Sequence, residues 1–362
     1  MITEKQILDV LAKVKEPLLQ KDFVSLDFIK RISLNGNNLQ LTLGITDTEY
    51  NDFPGLKNSI MWNLKENIPV IEISRIDFIL GVVNHTDKQK DTLLPGIKNT
   101  IAVASGKGGV GKSTVAVNLA ASLALEGAKV GLIDADIYGP SIPIMLGINE
   151  RPKVVSSNGK NKMLPVTKFD IKLMSIGFLM EEDTAVVWRG PMASSALKQF
   201  MTEVLWEQLD YLIFDMPPGT GDIQLTLSQT IPLTGAIIVT TPQEISLADA
   251  KKGYLMFDKV NVPTLGFIEN MSYYLREEDE KDYIFGQGGG KKLSEEYNTV
   301  LLGEIPIVTK IREAGDKGKP IVIDSPDLEV SKIYKSIAKN LILEINKKNI
   351  NSAQPQSPEI II

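Results

Sequence analysis

From Thr100 onward the chain alternates short, continuous apolar runs with stretches whose apolar residues recur every three or four positions. The runs are IAVAS, AKVGLIDAD, DYLIFDMPP, GAIIVTTP, PTLGFIEN and VLLGEIP. Strands that are apolar on both faces belong in a parallel sheet covered by helices. The pattern therefore predicts one doubly wound α/β domain with a mostly parallel sheet over residues 100–346. Its last element, EVSKIYKSIAKNLILEI, sets Ile333, Ile337 and Leu341 on one stripe with lysines opposite, as a helix docked on the sheet does.

Residues 1–83 follow another rhythm, that of a small α+β domain. Ile7, Leu8, Leu11 and Val14 mark one helical face, and Leu39, Leu41 and Leu43 alternate with polar residues beyond an Asn35-Gly36 turn, as in a hairpin with one wet face. A helix near PGLKNSIMWNLKEN and a strand, VIEISRIDFIL, complete the domain. The stretch 84–99 has no periodicity and reads as a linker. The chain's one histidine, His85, is expected to be solvated there. Residues 347–362 read as a disordered tail.

A length of 362 residues allows more than one core. The net charge of -6 argues against coating nucleic acid by phosphate neutralisation. No apolar run approaches the roughly 20 residues of a membrane span, and MITEKQILDV lacks the form of a signal peptide. The expectation is a cytoplasmic protein with no stable membrane association and no nucleic acid partner. Cysteine is absent altogether, which removes disulfides, thiolate nucleophiles and thiolate metal sites.

The candidate chemistry begins at GKGGVGKST, where Gly106, Gly111, Lys112 and Ser113 fill the phosphate-loop pattern between an apolar strand and a helix closing on Gly127. In that order, strand, loop and helix let the backbone from Gly106 through Lys107, Gly108, Gly109, Val110 and Gly111 to Thr114 surround a polyphosphate. Lys112 supplies a point charge to the outer phosphates and the Ser113 hydroxyl a ligand to Mg2+. Asp134 and Asp136 close one strand and Asp215 another, at the carboxyl edge where ligands of such sheets bind. Asp215 is read as holding Mg2+ through water, and either Asp134 or Asp136 as orienting the attacking water. A backbone amide near Gly219, in DMPPGTGD, is placed to meet the terminal phosphate.

With both lysines present, GKGGVGKST is similar to the deviant phosphate loop of the P-loop ATPases that include Mrp/ApbC proteins, MinD, ParA and nitrogenase iron protein. That resemblance implies a homodimer sandwiching ATP, with Lys107 reaching into the partner's nucleotide. It further implies that Asp136 orients water, that Asp215 belongs to the second switch and that Asn270 contacts adenine. Within the group, DADIYGPSIP, DMPPGTGDIQLTLSQ, TTPQEISLADAKKG, IENMSYY, IFGQGGGKKL and GEIPIVTKIREAGDKGKPIV most resemble the Mrp family of iron-sulfur cluster carriers, across nearly the whole α/β domain. The N-terminal residues resemble the small domain of iron-sulfur assembly factors. The resemblance implies an ATPase that passes a cluster to apoproteins or works with assembly clients.

The chain departs from the family where a C-x-x-C pair normally follows NMSY, since Arg276 and Asp279 occupy those places, and ITDTEYNDFPG lacks the small domain's usual cysteine. The alternatives are a MinD- or ParA-like positioning ATPase and a nucleotide-gated adaptor that carries no cluster.

Overall fold

The computed structural model describes residues 2–157, 159–179, 190–276 and 280–352. By its internal contacts the chain divides into two compact units, one formed by Met1–His85 with the residues from Ile342 on, the other by Thr86–Leu341.

In the smaller unit, α1 (Glu4–Leu11) starts at Thr3, whose hydroxyl accepts from the Gln6 amide while the Gln6 side chain accepts from the Thr3 amide. That reciprocal cap satisfies two donors that the first turn leaves open, and the helix buries Ile7, Val10 and Leu11. Strands β1 (Ile29–Asn35) and β2 (Asn38–Ile45) form the expected hairpin. It reverses at Gly36, whose φ of +63° suits glycine. Leu39, Leu41 and Leu43 are buried as the alternation required. Helix α2 (Phe53–Asn67) is capped by Asp52 and buries Leu56, Ile60 and Leu64. The strand β3 (Glu72–Leu80) then pairs with β2 in parallel, giving the order β1-β2-β3.

Two stretches differ from expectation. Within 84–99, expected to be a linker, α3 (Lys88–Leu93) forms and β4 (Ile97–Ala104) begins. The cause is Lys90, which is fully buried with its ammonium donating to the carbonyls of Ile97 and Lys98 at 3.0 and 3.1 Å. Residues 347–352, expected in a disordered tail, continue the last helix, Glu329–Ser352; residues 353–362 lie outside the described residues. Polar side chains hold that helical end. Buried Asn346 accepts from the Val83 amide at 2.9 Å and donates to the Gly81 carbonyl at 3.0 Å, and Asn349 donates to the Val83 carbonyl at 3.0 Å. His85, expected to be solvated, is half-buried, with Nδ1 3.1 Å from Asn349 Oδ1.

The larger unit continues with α4 (Lys112–Leu125), β5 (Val130–Asp134), α5 (Ile142–Met145), β6 (Lys153–Ser157), β7 (Lys160–Leu164), β8 (Val166–Lys168) and β9 (Ile171–Ser175). There follow α6 (Gly190–Glu203), β10 (Leu209–Asp215), α7 (Asp222–Thr230), β11 (Gly235–Thr240), α8 (Glu244–Lys259) and β12 (Thr264–Leu275). Then come β13 (Lys281–Asp282), α9 (Gly289–Glu296), β14 (Leu301–Ile307), α10 (Thr309–Asp316), α11 (Ile321–Asp324) and α12 (Glu329–Ser352). The parallel strands run in the order β14-β12-β11-β4-β10-β5-β9, with β8 antiparallel on β9, β13 antiparallel on the far end of β12, and β6 and β7 a separate hairpin.

Strand β4 lies centrally, and the helix after it, α4, buries every residue from Val115 to Leu123. Helix α12 docks on β14, where a side chain on Gly303 would collide with Ile337. No helix among the described residues is long and apolar enough to cross a membrane.

Candidate active site

The sheet brings the predicted site residues together at the carboxyl ends of its central strands. Register aligns Val103, Asp215, Asp134 and Ser175 as neighbours on β4, β10, β5 and β9. The loop from Gly106 to Gly111 leaves β4 in front of that row, and α4 opens directly on Lys112.

Lys112 is buried, and its ammonium donates to Asp215 Oδ1 at 2.6 Å, lies 3.2 Å from the Ser113 hydroxyl and is 3.5 Å from Asp136 Oδ2. Asp215 is fully buried, and its second oxygen, Oδ2, has no hydrogen-bond partner among the described residues. Burial raises the Asp215 carboxyl above its ordinary range, against the opposing pull of the Lys112 charge. Asp134 is equally buried. Its Oδ2 accepts from the Ser175 hydroxyl at 3.0 Å and the Ile142 amide at 3.2 Å, and its Oδ1 from the Asp136 amide at 3.3 Å. Burial, and then the neighbouring Asp215 charge, lift it to about 8. Asp136 differs from both: its carboxylate reaches the Lys112 side of the site and accepts from the Tyr138 amide at 3.2 Å.

The glycine loop is shaped by close approaches. A side chain on Gly106 would strike the backbone carbonyl of Asp249 on α8, and one on Gly111 would strike the Asn270 amide. Asn270 Nδ2 donates to the Val110 carbonyl at 2.8 Å, so this side chain, sought as a base contact, also braces the loop. The Gly219 amide is engaged with the Ser105 carbonyl at 2.9 Å. Lys107 is half-buried, and no hydrogen bond or ion pair of its ammonium occurs among the described residues.

Beside α4 opens a cavity of about 360 Å³ lined in part by Gly111, Thr114, Asn118, Asn270, Pro306 and Tyr334. It is continuous with the loop and suits the base and ribose of a nucleotide.

Arg276, at one of the expected cysteine positions, donates through Nε to Asp282 Oδ2 at 2.9 Å across β12 and β13. Lys281 packs 4.1 Å from the Tyr273 ring, which meets Tyr283 edge-on. Asp279, at the other position, lies outside the described residues. No group of three or more histidine, cysteine, aspartate or glutamate side chains able to hold a metal occurs among the described residues.

Sequence reasoning missed Ser175. Its signal was faint: one polar residue ending a short strand, KLMS, with nothing else to mark it.

The NUBPL iron-transfer P-loop NTPase family matches residues 96–342, and the iron-sulfur cluster assembly protein family matches residues 4–65. An iron-sulfur cluster carrier protein of Escherichia coli is 45% identical over 350 residues, 92% of this chain and 90% of that protein. One from Haemophilus influenzae is 44% identical over 345 residues, 94% and 92% of the two. Among solved structures, a nucleotide-binding protein from Archaeoglobus fulgidus in complex with ADP superposes with a TM-score of 0.59 at 37% identity, covering 69% of this chain and 98% of that one. The cell division ATPase MinD of Pyrococcus furiosus shares the fold, with a TM-score of 0.50 at 21% identity over 67% and 97% of the two chains.

Proposed function

The chain belongs to the NUBPL iron-transfer P-loop NTPase family, and from that premise we propose that it binds and hydrolyses ATP with Mg2+ in the cytoplasm, serving iron-sulfur cluster assembly without holding a cluster on ligands of its own. The observation that carries this reading is Lys112, whose ammonium stands between Asp215 and Asp136 at the mouth of the phosphate loop.

An arriving polyphosphate competes for that ammonium and frees Asp215. Asp215 and the Ser113 hydroxyl are the groups that would hold Mg2+, and the unpartnered Asp215 Oδ2 fits an acceptor kept for a cation's water shell. Bound there, Mg2+ supplies charge neutralisation to the phosphate oxygens. Asp136 faces the same space and is the residue assigned to orient the attacking water. The amide near Gly219 meets the terminal phosphate only by leaving the Ser105 carbonyl, which makes this segment a switch between two hydrogen bonds.

Phosphoryl transfer is largely a problem of charge stabilisation, so a further cation from a partner speeds it. Lys107, whose ammonium has no partner among the described residues, is assigned that role in a homodimer, and Asn270 with the adjoining cavity is assigned the adenine.

The cluster enters as cargo. Iron-sulfur clusters are held mainly by thiolates, and this chain has no cysteine and one histidine, already bonded to Asn349. The residues present do not fit thiolate ligation, so the thiols belong to apoprotein or assembly clients or to small thiols. Calorimetry and phosphate release test the ATPase reading. Lys112→Ala should lose ATP binding, whereas Asp136→Asn should bind ATP, turn over slowly and accumulate as a dimer on sizing. Normal binding by the first or normal turnover by the second contradicts the assignments. Anaerobic treatment with iron and sulfide should leave no cluster absorption after desalting without added thiol, and absorption that persists overturns the ligand argument.

A further inference from the structure

We propose that Ser175 is a positioning residue for turnover, holding the loop that carries Asp136 in register with Lys112 without itself touching nucleotide. The proposal rests on the reading of Asp136 as the group that orients water.

The loop in question runs from Asp136 to Ile142 and is closed by one carboxylate. Asp134 accepts the Asp136 amide at the loop's start and the Ile142 amide at its end. Among the described residues, one side-chain donor reaches that carboxylate from the neighbouring strand, the Ser175 hydroxyl at 3.0 Å. The hydroxyl is itself aimed, because it accepts the Gly177 amide at 3.0 Å, which directs its proton toward Asp134. Gly177 backs the same loop: a side chain there would lie 3.2 Å from Pro140 and 3.1 Å from Ser175 Oγ. Ser175 and Gly177 thus form the outer wall of the Asp136 loop, with two strands, β10 and β5, between β9 and the strand that leads into the phosphate loop.

Such a wall acts on the chemical step. Nucleotide binding is assigned to residues 106–114 and to the cavity beside α4, and neither Ser175 nor Gly177 lines that cavity. Asp136 must stand within hydrogen-bond reach of a water that is itself placed against phosphate, and a misplacement of about 1 Å costs up to about 100-fold in rate.

The experiment compares wild type, Ser175→Ala, Ser175→Thr and Gly177→Ala for ATP affinity by calorimetry and for kcat and KM by phosphate release. Each serine variant is also measured with Asp136→Asn. Ser175→Ala should lower kcat by about 5-fold to 100-fold with ATP affinity held within about twofold, and Ser175→Thr should recover most of the rate. Gly177→Ala should lower kcat by pressing on Pro140, which supplies an independent reading if Ser175→Ala does not fold. In the Asp136→Asn background Ser175→Ala should change the residual rate little, because the residue it positions is gone.

A Ser175→Ala enzyme with wild-type kcat, one that loses affinity and kcat together, or one whose defect is undiminished beside Asp136→Asn overturns the proposal. A wild-type protein that releases no phosphate from ATP instead defeats the ATPase reading, and the two failures are told apart by the wild-type control.

Discussion

Substituting Gly106 by alanine should damage the phosphate loop through a collision outside it. The added carbon would overlap the Asp249 carbonyl and stand 2.8 Å from the Ala250 nitrogen. Those are backbone atoms within α8, so no side-chain rotation relieves the overlap, and the loop must move instead. Overpacking a well-filled site costs about 1–3 kcal/mol, and a backbone obstacle puts this case at the upper end. For a unit of this size, about 3 kcal/mol lowers the melting temperature by roughly 6–12 °C.

Gly108 provides the internal control, because a side chain there meets nothing within 4 Å. Gly108→Ala should shift stability by less than about 0.5 kcal/mol. Differential scanning calorimetry of the nucleotide-free proteins measures both. Displacing the loop also misaligns its amides with the phosphates, and losing one charge-assisted hydrogen bond weakens ATP binding about tenfold or more. Gly106→Ala melting within about 2 °C of Gly108→Ala, with equal ATP affinity, would refute the reasoning.

Lys107→Ala should keep wild-type ATP affinity and lose most turnover, and a normal rate would remove the lysine from the reaction. Asn346→Leu strands the Val83 amide and the Gly81 carbonyl, so it should cost about 2–4 kcal/mol in denaturant unfolding of the smaller unit. A loss under about 0.5 kcal/mol would deny those bonds their importance. Glu269 accepts the Gly290 amide at 2.5 Å, and burial holds its carboxyl above the usual range. Its contribution to stability is therefore full below its ordinary pKa of 4.5 and is lost as pH rises through the raised value. Glu269→Gln does not titrate, so its melting temperature should gain on wild type as pH rises above 4.5. A difference that stays constant across that range would contradict the assignment.

The phosphate loop, the two strand-end aspartates and the first hairpin were legible because each is specified by neighbours a few residues away. Gly106 to Ser113 needs only a strand before it and a helix after it, and Leu39, Leu41 and Leu43 need only their alternation. Polar residues buried by distant partners were illegible. Lys90 reads as solvent-facing in KQKD, Asn346 as the last residue of a helix docked on the sheet and Asn349 as part of a disordered tail, until the carbonyls and amides they serve are known. Ser175 failed to stand out for the same reason, since its meaning lies in Asp134 on another strand. The short strands β6 to β9 escaped notice because they carry several lysines and no sustained apolar run.

The smaller unit joins the first 85 residues to a helical segment that begins at Ile342, which gives it a history on the ribosome. At about 5–20 residues per second, synthesis of the intervening Thr86–Leu341 takes roughly 10–50 s, and throughout it the backbone groups of Gly81 and Val83 wait for Asn346 and Asn349. The N-terminal fold, begun first, is finished last. A message cut short after Leu341 therefore yields a chain with every residue of its phosphate loop and a smaller unit in which Gly81 and Val83 lack their asparagine partners.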